Sequence, residues 1–286
     1  MKSKSNLPGA FFKGLLLAGL ALTFTGAKKT NELRIKGSDT MVNLASAWAE
    51  AYMQTHSDVY ISVDGGGSGT GIASLINGTV EIANASREIK QKEKEAAAAN
   101  YINPVETKVA RDAISFIVNP SNPVKELTME QLAKMYTGQI TNWNQVGGPN
   151  QKITLCAREN TSGTYAFVQE FVMKNKDYAQ TTLHLPSNAA IVQEVEQNKG
   201  AIGYCGLGYL LEAGNKVKAV GVKKSSSSSA VTPSEANVKN GTYPVARFLY
   251  VYTPGQPSGL TKKFIDFCVS PEGQKIVVEA GFVTLK

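Results

Sequence analysis

The chain has 286 residues, 42% of them hydrophobic and 19% charged, with 26 Gly and 11 Pro. These proportions fit a soluble globular protein, exclude collagen-like, coiled-coil and wholly disordered chains, and suit two domains of roughly 100–150 residues each. The formal charge is +7, but Lys2, Lys4 and Lys13 lie in the first 27 residues, which hold no acid; the remaining +4 is too thinly spread for a polyanion-binding surface, so no nucleic-acid partner is expected.

In chain order, the first element is an export signal. The three lysines precede an apolar run over residues 15–22, and Thr25-Gly26-Ala27 supplies small residues where a signal peptidase cuts. The run is short of the roughly 20 apolar residues that a membrane span needs. No Cys follows it, which argues against a lipoprotein anchor, and cleavage is expected after Ala27.

From Glu32 onward, strands and helices alternate. A strand over 32–35 enters Gly37-Ser38-Asp39-Thr40-Met41, and Leu44, Ala47, Trp48, Ala51 and Tyr52 then recur at helical spacing. A second strand (59–63) ends in the glycine run 65–71, which opens a helix through Ile72, Leu75 and Ile76. A strand near 80–83 and a charged, alanine-rich helix over 90–99 follow. A buried strand is predicted over 113–118 and a helix over 128–136. The strand 153–157 runs into Arg158-Glu159-Asn160-Thr161-Ser162-Gly163-Thr164 and a helix through Tyr165 to Phe171. A helix over 188–198, a strand over 200–204, an exposed serine loop at 225–229, a strand over 248–252 and two helices within 260–280 complete the chain. Such alternation predicts an α/β fold with a mostly parallel sheet.

Three places share one arrangement, a strand, a Ser/Thr/Gly turn and a helix: Gly37-Ser38-Asp39-Thr40, Gly67-Ser68-Gly69-Thr70 and Thr161-Ser162-Gly163-Thr164. Helix starts expose unpaired N–H groups and the positive end of the dipole, so they attract anions. Glycine permits close backbone approach, and hydroxyls add donors. Singly, each turn has a plain alternative, because Ser and Thr often cap helices without a ligand. Three together, with Arg158 offering a planar cationic fork four residues before Ser162, point to an oxyanion.

Enzyme motifs fail. The glycine run lacks the Lys-Ser/Thr of a phosphate-binding P-loop, never completes G-x-G-x-x-G, and misses the last Gly of G-x-S-x-G. His56 and His184 have no recognisable catalytic partner, and neither has a second His or Cys at metal-ligand spacing. Cys156, Cys205 and Cys268 are widely spaced, and Cys156 and Cys268 sit in apolar runs that suit buried, inert thiols. No cofactor and no metal are expected. A binding protein is the favoured reading; its rivals are an exported phosphate-ester hydrolase using Ser38 or Ser68, and a binding protein for sulfate or molybdate.

Over essentially the whole mature chain, the sequence resembles the phosphate-binding subunit of bacterial phosphate ABC transporters. The markers are Ile35-Lys36-Gly37-Ser38-Asp39-Thr40-Met41, the run 65–71, Ala83-Asn84-Ala85-Ser86-Arg87, Ile140-Thr141-Asn142-Trp143, the stretch 158–164 and Gly200-Ala201-Ile202-Gly203-Tyr204. The resemblance implies the type II periplasmic binding-protein fold, with two α/β lobes joined by two crossing strands and the ligand in the cleft. Residues 28–108 with 246–286 would form one lobe and 109–245 the other. It further implies a periplasmic monomer that binds inorganic phosphate and serves the membrane permease subunits of a phosphate ABC transporter. The hydroxyl of Thr40, the backbone of Met41, Ser68, Arg158, Ser162, Gly163 and Thr164 would touch the anion, with Ser38 and Ser86 in the same turns. Many members carry Asp after the Ser of the third turn, where it accepts the proton of hydrogen phosphate; this chain has Arg87. Asp39 is the nearest replacement, with an ordinary helix cap as its alternative. Arg87 would contact the anion or pair with Asp39.

Overall fold

The computed structural model describes residues 31–286, so the export signal and its cleavage point after Ala27 lie outside the described residues. The first half of the chain contains β1 (Asn31–Gly37), α1 (Val42–Thr55), β2 (Val59–Asp64), α2 (Ser68–Ile76), β3 (Ile82–Ala85), α3 (Gln91–Ala99), β4 (Val105–Val118), β5 (Glu126–Thr128) and α4 (Met129–Tyr136). Then come β6 (Thr154–Arg158), α5 (Gly163–Phe167), β7 (Leu183–Leu185), α6 (Asn188–Gln197), β8 (Ala201–Gly206), α7 (Leu207–Ala213), β9 (Lys218–Ala219), β10 (Gly221–Lys223), α8 (Glu235–Lys239), β11 (Ala246–Thr253), α9 (Gly259–Val269) and α10 (Pro271–Glu279).

One sheet runs β2-β1-β3-β11-β4-β8-β6-β7, with β9 also paired to β4. The outer strands are parallel: β1 with β2 and β3, and β6 with β7 and β8. At the centre, β11 runs antiparallel to both β3 and β4, and β4 antiparallel to β8. The 14-residue β4 therefore belongs to both halves: its first part pairs with β11, and Ile114 to Val118 pair with β8.

Sequence patterning finds only the second part of β4, because that part is an unbroken buried run. Residues 105–112 carry Glu106, Lys108, Arg111 and Asp112 and do not read as apolar; pairing with β11 makes them a strand. The expected lobe boundary after Lys108 thus falls inside β4. The strand expected near 80–83 begins at Ile82, where pairing with Ile35 of β1 starts. The helix expected to continue through Phe171 changes to a π-helical turn over Val168–Val172.

Two main cores lie on either side of the centre. One gathers Leu33, Ile35, Met41, Leu44, Trp48, Phe264 and Phe282, and Trp48 Nε1 donates to the Gly273 carbonyl at 2.8 Å. The other gathers Phe116, Tyr136, Trp143, Val168 and Tyr204, and Trp143 Nε1 donates to the Gly200 carbonyl at 2.9 Å. Cys156, Cys205 and Cys268 are buried free thiols, and burial pushes Cys156 up to about 12. Among the described residues, no helix is long and apolar enough to cross a membrane.

Gly71 in α2 presses on β1: a Cβ there would lie 2.4 Å from the Lys36 carbonyl oxygen and 2.5 Å from Gly37 Cα. Alanine is the better helix former by about 1 kcal/mol. Gly71→Ala should nevertheless destabilise the protein, because forcing a methyl against backbone costs about 1–3 kcal/mol. Urea unfolding of the two proteins measures the difference, and the midpoint should fall.

Candidate anion-binding site

The ends of four of the outer strands, β1, β2, β3 and β6, lead into the turns that form the site. After β1, Gly37 adopts φ +147°, and a Cβ there would sit 2.1 Å from the Asn84 carbonyl oxygen, so only glycine lets β1 and β3 approach this closely. Ser38 follows, with a 3-10 turn over Asp39–Met41. β2 leads through Gly65, Gly66 and Gly67 to Ser68, the first residue of α2. β3 leads to Ser86 and Arg87, and β6 ends at Arg158, ahead of the Ser162 cap of α5.

The hydroxyls converge. Ser38 Oγ donates to Ser86 Oγ at 2.9 Å, Ser68 Oγ lies 3.3 Å from Ser86 Oγ, and the Ser86 backbone N–H donates to Ser68 Oγ at 3.0 Å. The first turn of α5 meets this cluster so tightly that a Cβ on Gly163 would be 2.2 Å from Ser68 Oγ and 2.6 Å from Ser86 Oγ. Thr40 Oγ1 and Thr164 Oγ1 share a hydrogen bond of 2.9 Å, and Gly69 N–H donates to the Thr161 carbonyl at 2.9 Å. Ser162 caps its own helix, accepting from the N–H groups of Thr164 and Tyr165.

Three buried or half-buried arginines reach this region, and each has its own carboxylate, as burial of charge demands. Arg158 is 1% exposed; its Nη1 donates to Asp39 Oδ2 at 2.9 Å, its Nε to the Leu185 carbonyl at 3.3 Å and its Nη2 to the Pro186 carbonyl at 2.7 Å. Its backbone N–H donates to Tyr204 Oη, a phenol that burial pushes far above its ordinary pKa. Asp39 Oδ2 also accepts from the backbone N–H and Nδ2 of Asn188, at 2.9 and 2.6 Å. The pairing with Asp39 considered for Arg87 is therefore made by Arg158.

Arg87 instead forks onto Glu93, with bonds of 2.8 and 2.7 Å, and Glu93 accepts the Lys90 N–H at the start of α3. Burial alone would raise the Glu93 carboxyl, but the Arg87 and Lys90 bonds outweigh it and hold the group below its usual range. Met41 contributes its side chain to the core, and its N–H donates to the Ser38 carbonyl at 3.0 Å.

Three residues at the centre have no motif to announce them. Asp112 on β4 and Arg247 on β11 stand directly opposite in the antiparallel register. Arg247 Nε and Nη2 donate to Asp112 Oδ2 at 3.2 and 2.9 Å, Nη1 to the Ser86 carbonyl at 2.8 Å, and Nη2 also to Thr164 Oγ1 at 2.9 Å. Burial pushes the Asp112 carboxyl up and the Arg247 guanidinium down, against their mutual attraction. Asn188, at the start of α6, links Asp39 to Thr40 Oγ1, the latter at 3.3 Å. A lone charge inside an apolar strand is a signal that a partner is required, but the identity of that partner depends on strand register. Among the described residues, no group of three or more His, Cys, Asp or Glu is placed to hold a metal ion.

Comparison with known proteins identifies the family of the chain. A family model for the PBP superfamily domain matches residues 23–272. The phosphate-binding protein PstS of Pseudomonas aeruginosa is 33% identical over 266 residues, covering 87% of this chain and 81% of that protein. PstS of Bacillus subtilis is 35% identical over 257 residues, covering 90% and 81%. Among solved structures, a Clostridium perfringens chain described as a phosphate ABC transporter substrate-binding protein with bound phosphate is 34% identical, with a TM-score of 0.81, covering 90% of this chain and 100% of that one. Similarity in sequence and in backbone course thus coincides over most of the protein, and the chain belongs to the PBP superfamily and, within it, to the family of the PstS phosphate-binding proteins.

Proposed function

We propose that the protein is an exported solute-binding protein that captures inorganic phosphate between two lobes and delivers it to the permease subunits of a phosphate ABC transporter. Residues 28–108 with 246–286 act as one lobe and 109–245 as the other, hinged on β4 and β11. One observation carries the reading: Thr40 meets Thr164, and Ser68 and Ser86 meet Gly163, so hydrogen-bond donors from both lobes face one another. An anion enters such a place only if many donors replace its water. The names of the PstS relatives and the phosphate in the C. perfringens structure support the choice of anion.

In this reading the hydroxyls of Ser38, Thr40, Ser68, Ser86 and Thr164 and the N–H of Gly163 hold the phosphate oxygens. Ser162 keeps the α5 start in place, Met41 anchors the first turn through its side chain, and Arg158 with Asp39 ties the lobes together. Asp39 supplies the acceptor for the proton of hydrogen phosphate, the role that Asp fills elsewhere and Arg87 cannot. Arg87 orders α3 through Glu93.

Binding is favoured over hydrolysis because the Ser38 and Ser68 hydroxyls are bonded to Ser86. The Nδ1 atoms of His56 and His184 lie instead against the carbonyls of Tyr52 and Arg158. The protein works as a periplasmic monomer after removal of the leader near residue 27.

Calorimetric titration should give one phosphate per chain and little binding of sulfate, with no turnover of a generic phosphomonoester. Tight sulfate binding with weak phosphate binding would overturn the choice of anion. Arg158→Ala should weaken phosphate binding by roughly 2–5 kcal/mol, the cost of breaking a buried charged pair, and more than Arg87→Ala, whose loss is confined to the α3 contact. Equal losses would place both arginines on the anion. Mass spectrometry of the exported protein should find a mature N-terminus near Lys28 without lipid.

A further inference from the structure

We propose that Arg247, clamped by Asp112 across β4 and β11, is a positioning residue that holds the Thr164 hydroxyl as a proton donor toward the bound anion. The inference rests on the phosphate-binding reading above and assigns a role to a pair that none of the anion turns contains.

The argument begins with what each group can donate. A hydroxyl has one proton and can accept two bonds, whereas a guanidinium only donates. Arg247 Nη2 donates to Thr164 Oγ1 at 2.9 Å, so the Thr164 proton must point away from Arg247. Thr40 Oγ1 lies on another side of the same oxygen, 2.9 Å away, and either threonine can be the donor of that bond. Thr40 Oγ1 in turn has the Asn188 amide behind it, at 3.3 Å. Each threonine oxygen thus has an N–H at its back, and when an anion replaces the bond between the two hydroxyls, both protons can turn to it.

The position of Arg247 is fixed by burial. It is 7% exposed, Asp112 is fully buried, and Asp112 Oδ1 is also held by the Leu207 N–H at 3.0 Å. Its remaining contacts are the Ser86 carbonyl at 2.8 Å and the Phe167 ring, 5.5 Å from the guanidinium carbon. A single planar fork therefore reaches β4, the third turn and the start of α5. Lysine could offset the Asp112 charge but could not serve these partners in one plane. Because Asp112 and Arg247 lie on the two strands that join the halves, the fork also brings Thr164 and Ser86 together at the closed site.

The test is a double-mutant cycle in the full-length protein, read as phosphate affinity by calorimetry. Arg247→Lys keeps a cation beside Asp112, so it should fold, and should lower affinity about tenfold or more, the weight of a charge-assisted hydrogen bond. In the Thr164→Val background the same change should cost less than about threefold, since no hydroxyl remains to be oriented. In the Thr164→Ser background the full loss should return. Asp112→Asn, which leaves an acceptor for the fork, is the second variant and should show the same dependence on Thr164. Thermal midpoints without phosphate provide the structural control. An equal loss from Arg247→Lys with and without the Thr164 hydroxyl, or a loss that merely follows the phosphate-free midpoint, overturns the inference alone. Failure of the unaltered protein to bind phosphate overturns the functional reading and this inference with it.

Discussion

A buried charge in a folded protein must have a buried counter-charge, and the centre of this sheet is organised around that requirement. Asp112 and Arg247 face each other across β4 and β11, where both are buried. Removing one partner would leave the other uncompensated in a low-dielectric interior, a cost of several kcal/mol. The two strands that carry the pair also carry the connection between the two halves of the molecule. Through Arg247 the same pair also reaches the Ser86 carbonyl and the Thr164 hydroxyl, so it links the two central strands to the turn after β3 and to the start of α5.

Asp39–Arg158 and Arg87–Glu93 repeat the solution further out, and their positions give them different work. Asp39 follows β1 and Arg158 ends β6, 119 positions further on, so their bond ties together two turns distant in the chain. Arg87 and Glu93 are six residues apart on one side, and their fork orders a loop and a helix start. Arg87, Arg158 and Arg247 are each already paired with an acid, so in the proposed reading the attraction for an anion comes from hydroxyl and amide dipoles that are held in place. Such groups need little rearrangement when a ligand arrives, and preorganisation of this kind lowers the ordering cost of binding.

The helices and strands themselves are legible in the chain because they follow from local patterns. Leu44, Trp48 and Tyr52 recur at helical spacing and are all buried in α1, and the helix expected from residue 128 starts at Met129 behind a box formed by Thr128 and Gln131. The Ser/Thr/Gly turns also stand out, since glycine and hydroxyl residues favour turns and helix starts and the same arrangement recurs three times. The misplaced pieces are those that depend on pairing. The first part of β4 carries charges that disguise a strand, and β3 is made of small residues whose boundary is set by β1.

By itself, then, the sequence determined the α/β class, the order of the elements and the turns rich in anion-seeking groups, because periodicity and turn chemistry act over a few residues. Tertiary structure alone decided which of those groups meet. Thr40 and Thr164 are separated by 124 positions, Asp39 and Arg158 by 119, and Asp112 and Arg247 by 135. No local pattern encodes such distances. They are selected when the strands take their register and the turns pack together, and for Asp112 and Arg247 it is the register of β4 and β11 that turns a buried lone charge into half of a pair.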